Sequence, residues 1–379
     1  MLSYKTWIEL DAQALRHNVA VFRKLLSPKT KLWAVVKSNA YGHGLLDFSK
    51  LANKFGVDGF CVDSIPEAVK LRQADIKKPI LVLGPTMNGD FIDEAYKNKI
   101  TLTISNENAL ENLLRHKNIP EFHIKVDTGM HRQGFFLNEL KRIINSIENW
   151  KLEIRNCLKG IYTHFAAAKD IKNQKFTRQQ FNIFQKAIIF FEARGYKNLI
   201  KHTAATGGTL LDKRYHLDAV RVGAGLYGIY PSAELERQLG ITSKIKDKII
   251  LKPVLSWHSL ISEIKQLKKG DYIGYDLTEK IVKPTDMAVV PIGYWHGFDR
   301  GLSKIGAVLI KGRRARVLGR VSMDLIAVDV TGINCAVGDS VAIINNELTA
   351  VQFGKKINTS AYEVLTRINP LIQKILKTN

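Results

Sequence analysis

The apolar stretch WAVV at 33–36 ends on Lys37 and runs into SNAYGHG, so an amine stands at the end of what reads as a buried parallel strand, with Tyr41 close behind it. An ammonium there has to be neutralised, paired with an anion or used as a nucleophile. Further strand-like segments end on other groups that can do chemistry: Asp127 and Arg132, then His164, then Thr206, then Arg221 with Gly223. Singly, each has a plain explanation, such as an exposed lysine, a hydrogen-bonded core histidine, or an arginine paired with Asp127. Jointly, a lysine, two arginines, a histidine, a tyrosine and glycine-bearing turns at one mouth suit an anionic, phosphorylated ligand. Backbone N–H groups and hydroxyls would surround the phosphate, and Arg221 would be a fixed cation deeper down.

These groups converge only if the strands that carry them do. Strand-like segments fall at 32–36, 58–62, 80–83, 101–104, 123–126, 159–163, 199–203 and 219–222, with helical patterns such as PEAVKLRQAD, ENALENLLRHK and LNELKRIINSIENW between them. Eight strands alternating with helices over about 200 residues predict a (β/α)8 barrel rather than an open doubly wound sheet, and the loops after its strands build the mouth. Ahead of the barrel, Asp11 is placed to cap a helix whose Leu15, Val19, Phe22 and Leu26 recur at helical spacing. After about residue 240 the pattern becomes period-two strands with turns, in KPVLSWHSLISEI, MAVVPIGY, AVLIKGRRARVLGRVSMDLIAVDV and DSVAIIN. The expected architecture is α/β: an N-terminal (β/α)8 barrel over 1–240, whose first strand is free to join the other domain, and a C-terminal, mainly antiparallel β domain over 241–379.

Composition narrows the function classes. The 379 residues allow a sizeable core and two domains, and 45% hydrophobic content is ordinary for a globular protein. No apolar run is long enough to span a bilayer, the N-terminal residues lack the order of a signal peptide, and a reducing cytoplasm fits best. Cys61, Cys157 and Cys335 stand far apart, without disulfide or zinc spacing, and read as free thiols with no metal site. The formal charge of +22 raises nucleic acid as a partner. The lysines, however, are scattered over helix faces, and the densest cluster, KGRRAR at 311–316, lacks aromatic stacking platforms, so a solvated surface is the reading adopted. GAGLYG at 223–228 matches a dinucleotide fingerprint, but Pro231 follows too closely for a long helix to open there, and that reading is rejected.

The motif AVVKSNAYGHG resembles the cofactor-lysine motif of the alanine racemase family. The likeness extends through WIELDAQALRHN, KVDTGMHRQGF, THFA, VRVGAGLYGIYP, PIGYWHGFDRGLS, VLGRVSMDLIAVDVT and YEVLTRI, in the family's order. The resemblance implies a pyridoxal 5′-phosphate (PLP) enzyme that interconverts L- and D-alanine by a two-base mechanism, supplies D-alanine for peptidoglycan, and works as a homodimer with shared active sites. By the same resemblance Lys37 carries the cofactor as a Schiff base, which gives the strand-end amine a covalent use. Tyr41, Thr206, Gly223, Ala224 and Tyr362 would hold the phosphate, and Arg221 would face the pyridine nitrogen. Because an arginine keeps its proton, that nitrogen stays unprotonated and the cofactor is a weaker electron sink, which limits side reactions.

The resemblance also places Arg132 at the cofactor's phenolic oxygen and the substrate carboxylate, and Lys125 at a position carbamylated in many family members. Tyr275 becomes the second base, reaching in from the other subunit, with cations needed close to it and His164 linked to Arg221 as their source. Met323 would bind the substrate carboxylate through its amide, Tyr294 would narrow the entry, and Asp324 would position that loop. The sequence departs from the family pattern at Asp276, where glycine is usual, at Trp295 and His296 in IGYWHG, at Ser322 in SMD, and in HTAAT, which lacks the common asparagine. Competing functions are a broader serine/alanine racemase, a non-catalytic PLP-binding protein and, remotely, a nucleic-acid-binding module.

Overall fold

The computed structural model describes residues 4–149, 152–241 and 249–378. The chain divides into two compact units, one of Ala14–Ser38 and Phe48–Lys252, the other of Met1–Gln13, Asn39–Asp47 and Pro253–Asn379. Strand β1 (Thr6–Asp11) belongs to the second unit, and Asp11 immediately precedes the helix Ala12–Leu25. The expected boundary at 240/241 adjoins residues 242–248, which lie outside the described residues.

The first unit is the barrel. Its strands are β2 (Lys31–Val35), β3 (Gly59–Val62), β4 (Ile80–Val82), β5 (Leu102–Ile104), β6 (Phe122–Lys125), β7 (Leu158–Tyr162), β8 (Ile200–His202) and β9 (Ala219–Val222). They pair in parallel as two four-stranded arcs, β4-β3-β2-β9 and β5-β6-β7-β8. Single bridges at Leu81–Thr101 and Ala205–Arg221 join the arcs at both edges and close the ring. Closure removes the unpaired strand edges and aims all eight strand ends at one mouth. The helices between strands follow their local signals: in ENALENLLRHK, Asn106 caps the helix Glu107–Arg115 by accepting the Ala109 amide, and Leu110, Leu113 and Leu114 form its buried face. LNELKRIINSIENW forms the helix Leu140–Glu148, and the Trp150 end of that pattern lies outside the described residues.

Aromatic and polar side chains meet in the barrel's centre. Trp33 of β2 lies 5.9 Å from the His123 ring of β6 and 5.0 Å from the His202 ring of β8. Tyr162 of β7 stacks on His202 at 4.7 Å, and its hydroxyl is 2.9 Å from that of Thr103 on β5. Contacts between strands that are not neighbours show these residues point inward.

The second unit is built on one nine-stranded sheet. Following β10 (Leu255–Leu260) and β11 (Glu263–Leu267), a small hairpin of β12 (Tyr272–Ile273) and β13 (Glu279–Lys280) precedes β14 (Thr285–Val290), β15 (Ala307–Ile310), β16 (Arg313–Leu318), β17 (Ile326–Asp329), β18 (Ser340–Ile344) and β19 (Gln373–Lys377). The order is β11-β14-β17-β16-β15-β18-β10-β1-β19, antiparallel except where β1 meets β19. Alternation sets the register: Thr6, Ile8 and Leu10 of β1 are buried, and Ile8 pairs with the buried Trp257. Lys311 and Gly312 turn the β15–β16 hairpin, and Arg313, Arg314 and Arg316 face outward, in keeping with a solvated basic cluster.

Gly160 makes room for the central layer. A Cβ there would stand 2.6 Å from His123 Cε1 and 2.7 Å from the Ile200 carbonyl oxygen, both inside contact distance. Gly160→Ala should lower the urea midpoint by an amount equivalent to about 1–3 kcal/mol, the usual cost of overpacking. An unchanged midpoint would show that the ring can shift to admit a methyl group.

Candidate active site

Lys37 is carried just past β2, whose end is tied down by the Tyr227 hydroxyl donating to the Val35 carbonyl at 2.8 Å. Its ammonium is half-exposed and lies 3.2 Å from Asp63, just past the neighbouring strand β3. Glu67 accepts the backbone amides of both Ser38 and Asp63, so the turns carrying the pair share one anchor. The following residues do not form an ordinary turn. Ser38, Asn39, Ala40 and Tyr41 have φ of 55°, 55°, 51° and 53°, a left-handed helical turn. Each such residue costs roughly 1–2 kcal/mol relative to the right-handed form.

Local bonds within the second unit offset that cost. Asn39 accepts the Leu45 amide with its side chain and the Gly44 amide with its carbonyl. Gly42, at φ 83°, lies so close to the chain that a Cβ would fall 2.1 Å from the Leu365 carbonyl oxygen. Within the same unit Tyr41 and Tyr362 meet edge-on at 6.0 Å, and burial raises the Tyr362 pKa, keeping its hydroxyl a donor.

Arg221 is 2% exposed at the heart of the barrel and has no carboxylate partner among the described residues. Its guanidinium donates to the carbonyls of Thr163 at 2.8 Å and Thr203 at 3.0 Å and to Nδ1 of His202, and lies 3.4 Å from Nδ1 of His164. It also sits over the Tyr162 ring at 4.9 Å. Since His202 Nδ1 accepts from Arg221, its Nε2–H donates to His123 Nδ1 at 2.9 Å, which fixes the His202 tautomer. Burial first, then Arg221, pushes His123 down to about 3 and His202 well below its ordinary value.

His164 was expected to add positive charge, and here the structure corrects the sequence reading. Burial, then Arg221, Lys125, Arg132 and Lys37, drive its pKa down to about 3, so the imidazole is neutral and Arg221 is the cation of that pair. Burial together with Arg132, Arg221 and Lys37 likewise lowers Lys125 to about 8, against a smaller opposing effect of Asp127. Lys125 donates to Gln133 at 2.8 Å. Asp127 is not a partner for Arg132: it accepts the amides of Gly129 at 2.8 Å and His131 at 3.1 Å. Arg132 is exposed and makes no ion pair or hydrogen bond with any described residue.

At the end of β9, Gly225 donates to the Thr206 hydroxyl at 3.2 Å, and the Leu226 amide turns back to the Gly223 carbonyl at 2.8 Å. Gly223 and Ala224 keep their amides free of any described acceptor, beside Thr206. Residues 223–228 form a turn rather than opening a helix, as expected, and Gly225 is required by packing: a Cβ would sit 2.3 Å from Phe22.

Tyr275, Tyr294, Met323 and Asp324 all belong to the second unit. Tyr275 is 71% exposed in a short 3-10 turn between β12 and β13, and with Tyr294, Met323, Asp276, Arg300 and Arg320 it lines an open cavity of about 780 Å³. Tyr294 and Trp295 donate their amides to the carbonyls of Ser322 and Met323, which locks the two loops together and leaves the Met323 amide without a described acceptor. Asp324 lies 3.8 Å from His296 Nδ1, which itself accepts the Gly293 amide. His296 is therefore a buried cap rather than an entrance residue, and Trp295 is exposed but does not line the cavity.

Four residues at the site had no motif to announce them, Asp63, Glu67, His123 and Gln180, while Gln133 and His202 stood inside KVDTGMHRQGF and HTAAT without a role. The buried Gln180 donates to Thr128 and to the His164 carbonyl and accepts the Ala166 amide, so it holds the loop after β7. The available signal was polar residues inside otherwise apolar barrel strands: Lys125 pairs with Tyr162, and Tyr162 with His202.

A closed parallel barrel with a crowded cationic mouth is followed in the chain by an antiparallel β domain that presents an exposed tyrosine, and that architecture can be compared with known proteins. The N-terminal domain model of alanine racemase matches residues 10–231 and the C-terminal domain model matches 254–376. Alanine racemase of Leptospira interrogans is 36% identical over 99% of this chain and 96% of its own length, and that of Methanococcus maripaludis is 35% identical over 99% of each. Solved structures agree: an alanine racemase from Clostridium difficile has a TM-score of 0.88 at 32% identity, covering 100% of this chain and 97% of its own. One from Bacillus anthracis with bound L-Ala-P has 0.89 at 32%, covering 100% and 96%. The chain belongs to the alanine racemase family.

The neutral histidines of the barrel set an acid limit. Unfolded histidine titrates near 6.5, whereas His123 and His164 stay neutral in the folded chain down to about 3. Below the unfolded value the unfolded chain takes up protons that the native one refuses. Stability should fall as pH drops from 6.5, by about 1.4 kcal/mol per unit for each such group. Urea midpoints measured between pH 7 and pH 5 check this; a flat profile would show that these imidazoles are protonated in the native state.

Proposed function

We propose that the chain interconverts L- and D-alanine with PLP as its cofactor, acting as a homodimer in the cytoplasm and supplying D-alanine for peptidoglycan. The residues fit a phosphorylated, anionic cofactor. Lys37, Lys125, Arg132 and Arg221 stand at one mouth, close enough to add to the effect of burial in depressing Lys125 and His164, and free amides and a hydroxyl stand at Gly223, Ala224 and Thr206. When bound, PLP supplies an aldehyde that captures an amine and a ring that withdraws electrons from the α-carbon. Lys37 would hold that aldehyde carbon, and Thr206, Gly223 and Ala224, with Tyr41 and Tyr362, would hold the phosphate. Arg132 would take the phenolic oxygen and the substrate carboxylate, which the Met323 amide would share. Tyr294 would narrow the entry.

The observation that carries the reading is Arg221, a buried cation held by carbonyls and neutral imidazoles instead of a carboxylate. Facing the ring nitrogen, Arg221 would donate a hydrogen bond without giving up its proton, which would leave the cofactor a moderate electron sink.

Inversion at the α-carbon needs a proton acceptor on each face. Lys37 serves one. Tyr275, exposed on its hairpin, serves the other in the site of a second copy, taking the α-proton of L-alanine while Lys37 returns one to the opposite face. The bound L-Ala-P of the Bacillus anthracis neighbour supports an alanine-sized substrate. Tyr275→Phe should retain cofactor absorbance and lose roughly 100-fold or more in racemisation, the usual worth of a general base. Unchanged turnover would remove Tyr275 from the mechanism, and a preference for serine or larger amino acids over alanine would replace the substrate assignment.

Lys125 has the chemistry for carbamylation. An amine that titrates near 8 has a neutral fraction at physiological pH, and that fraction adds CO2 with release of a proton, turning the neighbour of Arg132 from cation to anion. Intact-protein mass under bicarbonate should rise by one carboxyl group, localised to Lys125 and absent from Lys125→Met. A wild-type mass that does not respond to bicarbonate would count against it.

A further inference from the structure

Tyr275 rides on a strained hairpin tip. Gly274, Asp276 and Leu277 have φ of 72°, 59° and 49°, so three residues around the phenol occupy the left-handed region, and two of them carry a Cβ. The feet of the hairpin are secured: Ile273 and Ile281 pack with Met287 and Leu318, and Arg316 reaches Glu279 at 2.8 Å. At the tip, Asp276 pairs with Arg320 at 2.6 Å. Arg320 precedes Val321, Ser322 and Met323, the segment that presents the free Met323 amide and is itself bonded to Tyr294 and Trp295. Strain of this kind persists only where surrounding contacts over-determine it.

We infer that the Asp276–Arg320 ion pair is a positioning clasp, which sets the distance and angle between the Tyr275 hydroxyl and the Met323 amide so that both grip one amino acid. The inference rests on the two-base reading and concerns positioning, since neither partner needs to touch the reacting carbon. Exposed ion pairs contribute little to stability. The clasp therefore acts on geometry, and a small misplacement of a base costs far more in rate than in folding. It acts on one of the two proton transfers. Tyr275 takes the α-proton of L-alanine and, in reverse, returns it, so both directions slow together, whereas proton removal from D-alanine by Lys37 is a step that the clasp does not touch.

The test compares Asp276→Asn and Asp276→Gly holoenzymes with wild type, using alanines deuterated at Cα. Asp276→Asn keeps the side-chain size and removes the charge, and Asp276→Gly also relieves the backbone. Both should keep the melting temperature and cofactor absorbance and lose about tenfold in kcat/KM, equally in the two directions because the enantiomers have equal free energy. The isotope effect should rise with L-alanine, whose labelled proton goes to Tyr275, and should not rise with D-alanine, whose labelled proton goes to Lys37. Amide hydrogen exchange at 274–278, read with and without cofactor, should quicken in both variants. The charge-swapped pair, Asp276→Arg with Arg320→Asp, should restore slow exchange. Isotope effects that stay at wild-type values, or rise equally for both enantiomers, would overturn the clasp, as would unchanged exchange at the tip. Tyr275→Phe run alongside separates the two failures: an active Tyr275→Phe enzyme defeats the two-base reading, while an inactive one beside an Asp276→Asn enzyme of wild-type isotope effect defeats the clasp alone.

Discussion

A guanidinium buried inside a barrel without a carboxylate must be held by dipoles, and much of this site follows from that constraint. Arg221 takes the carbonyls of Thr163 and Thr203 and the lone pair of His202. Those acceptors come from the ends of β8, which bridges to its own strand, and of β7 beyond it, so the charge is satisfied only when the ring closes at the Ala205–Arg221 bridge. The cation then reads outward through its neighbours. It helps keep His123, His164 and His202 neutral and makes the Lys125 amine easier to deprotonate. Asp127 is held by loop amides and offsets only part of the field at Lys125. Positive charge left unneutralised in a partly desolvated mouth is an anion-binding device.

Backbone strain is concentrated beside both residues assigned to proton transfer. Four consecutive left-handed residues follow Lys37, and three surround Tyr275. In each place a short polar network offsets the cost: Glu67 and Asn39 at the first, Asp276 with Arg320 at the second. Strained turns are stiff when over-determined, and stiffness is what a base needs if it is to meet a hydrogen at one face of a small substrate.

The departures from the family pattern fall into separate physical kinds. His296 caps the Gly293 amide from a buried position, so it supports the Tyr294 loop without facing the entrance. Trp295 adds exposed apolar surface away from the cavity lining. Asp276 alone among them enters a new charge pair at the hairpin that carries the proposed base. Nothing in the structure explains the alanines of HTAAT in place of the common asparagine.

Hydrophobic periodicity was sufficient to read the eight barrel strands to within a residue or two and the period-two strands of the β domain, because both patterns are local consequences of which faces are buried. The residue types at strand ends were equally legible, and they are what suggested an anionic ligand, since Lys37, Arg132, Thr206 and Arg221 each stand beside a recognisable strand or turn. What no linear pattern contains is which groups neutralise one another. That His164 is uncharged, that Asp127 ignores Arg132, and that His123 and Gln180 stand behind the site all depend on distances between residues remote in the chain. So do the left-handed turns, whose unfavourable φ values are offset by contacts with Glu67 and Arg320 that exist only once the chain has folded. Burial and charge act through space, so they emerge with tertiary structure; periodicity acts along the chain, so it is already present in the sequence.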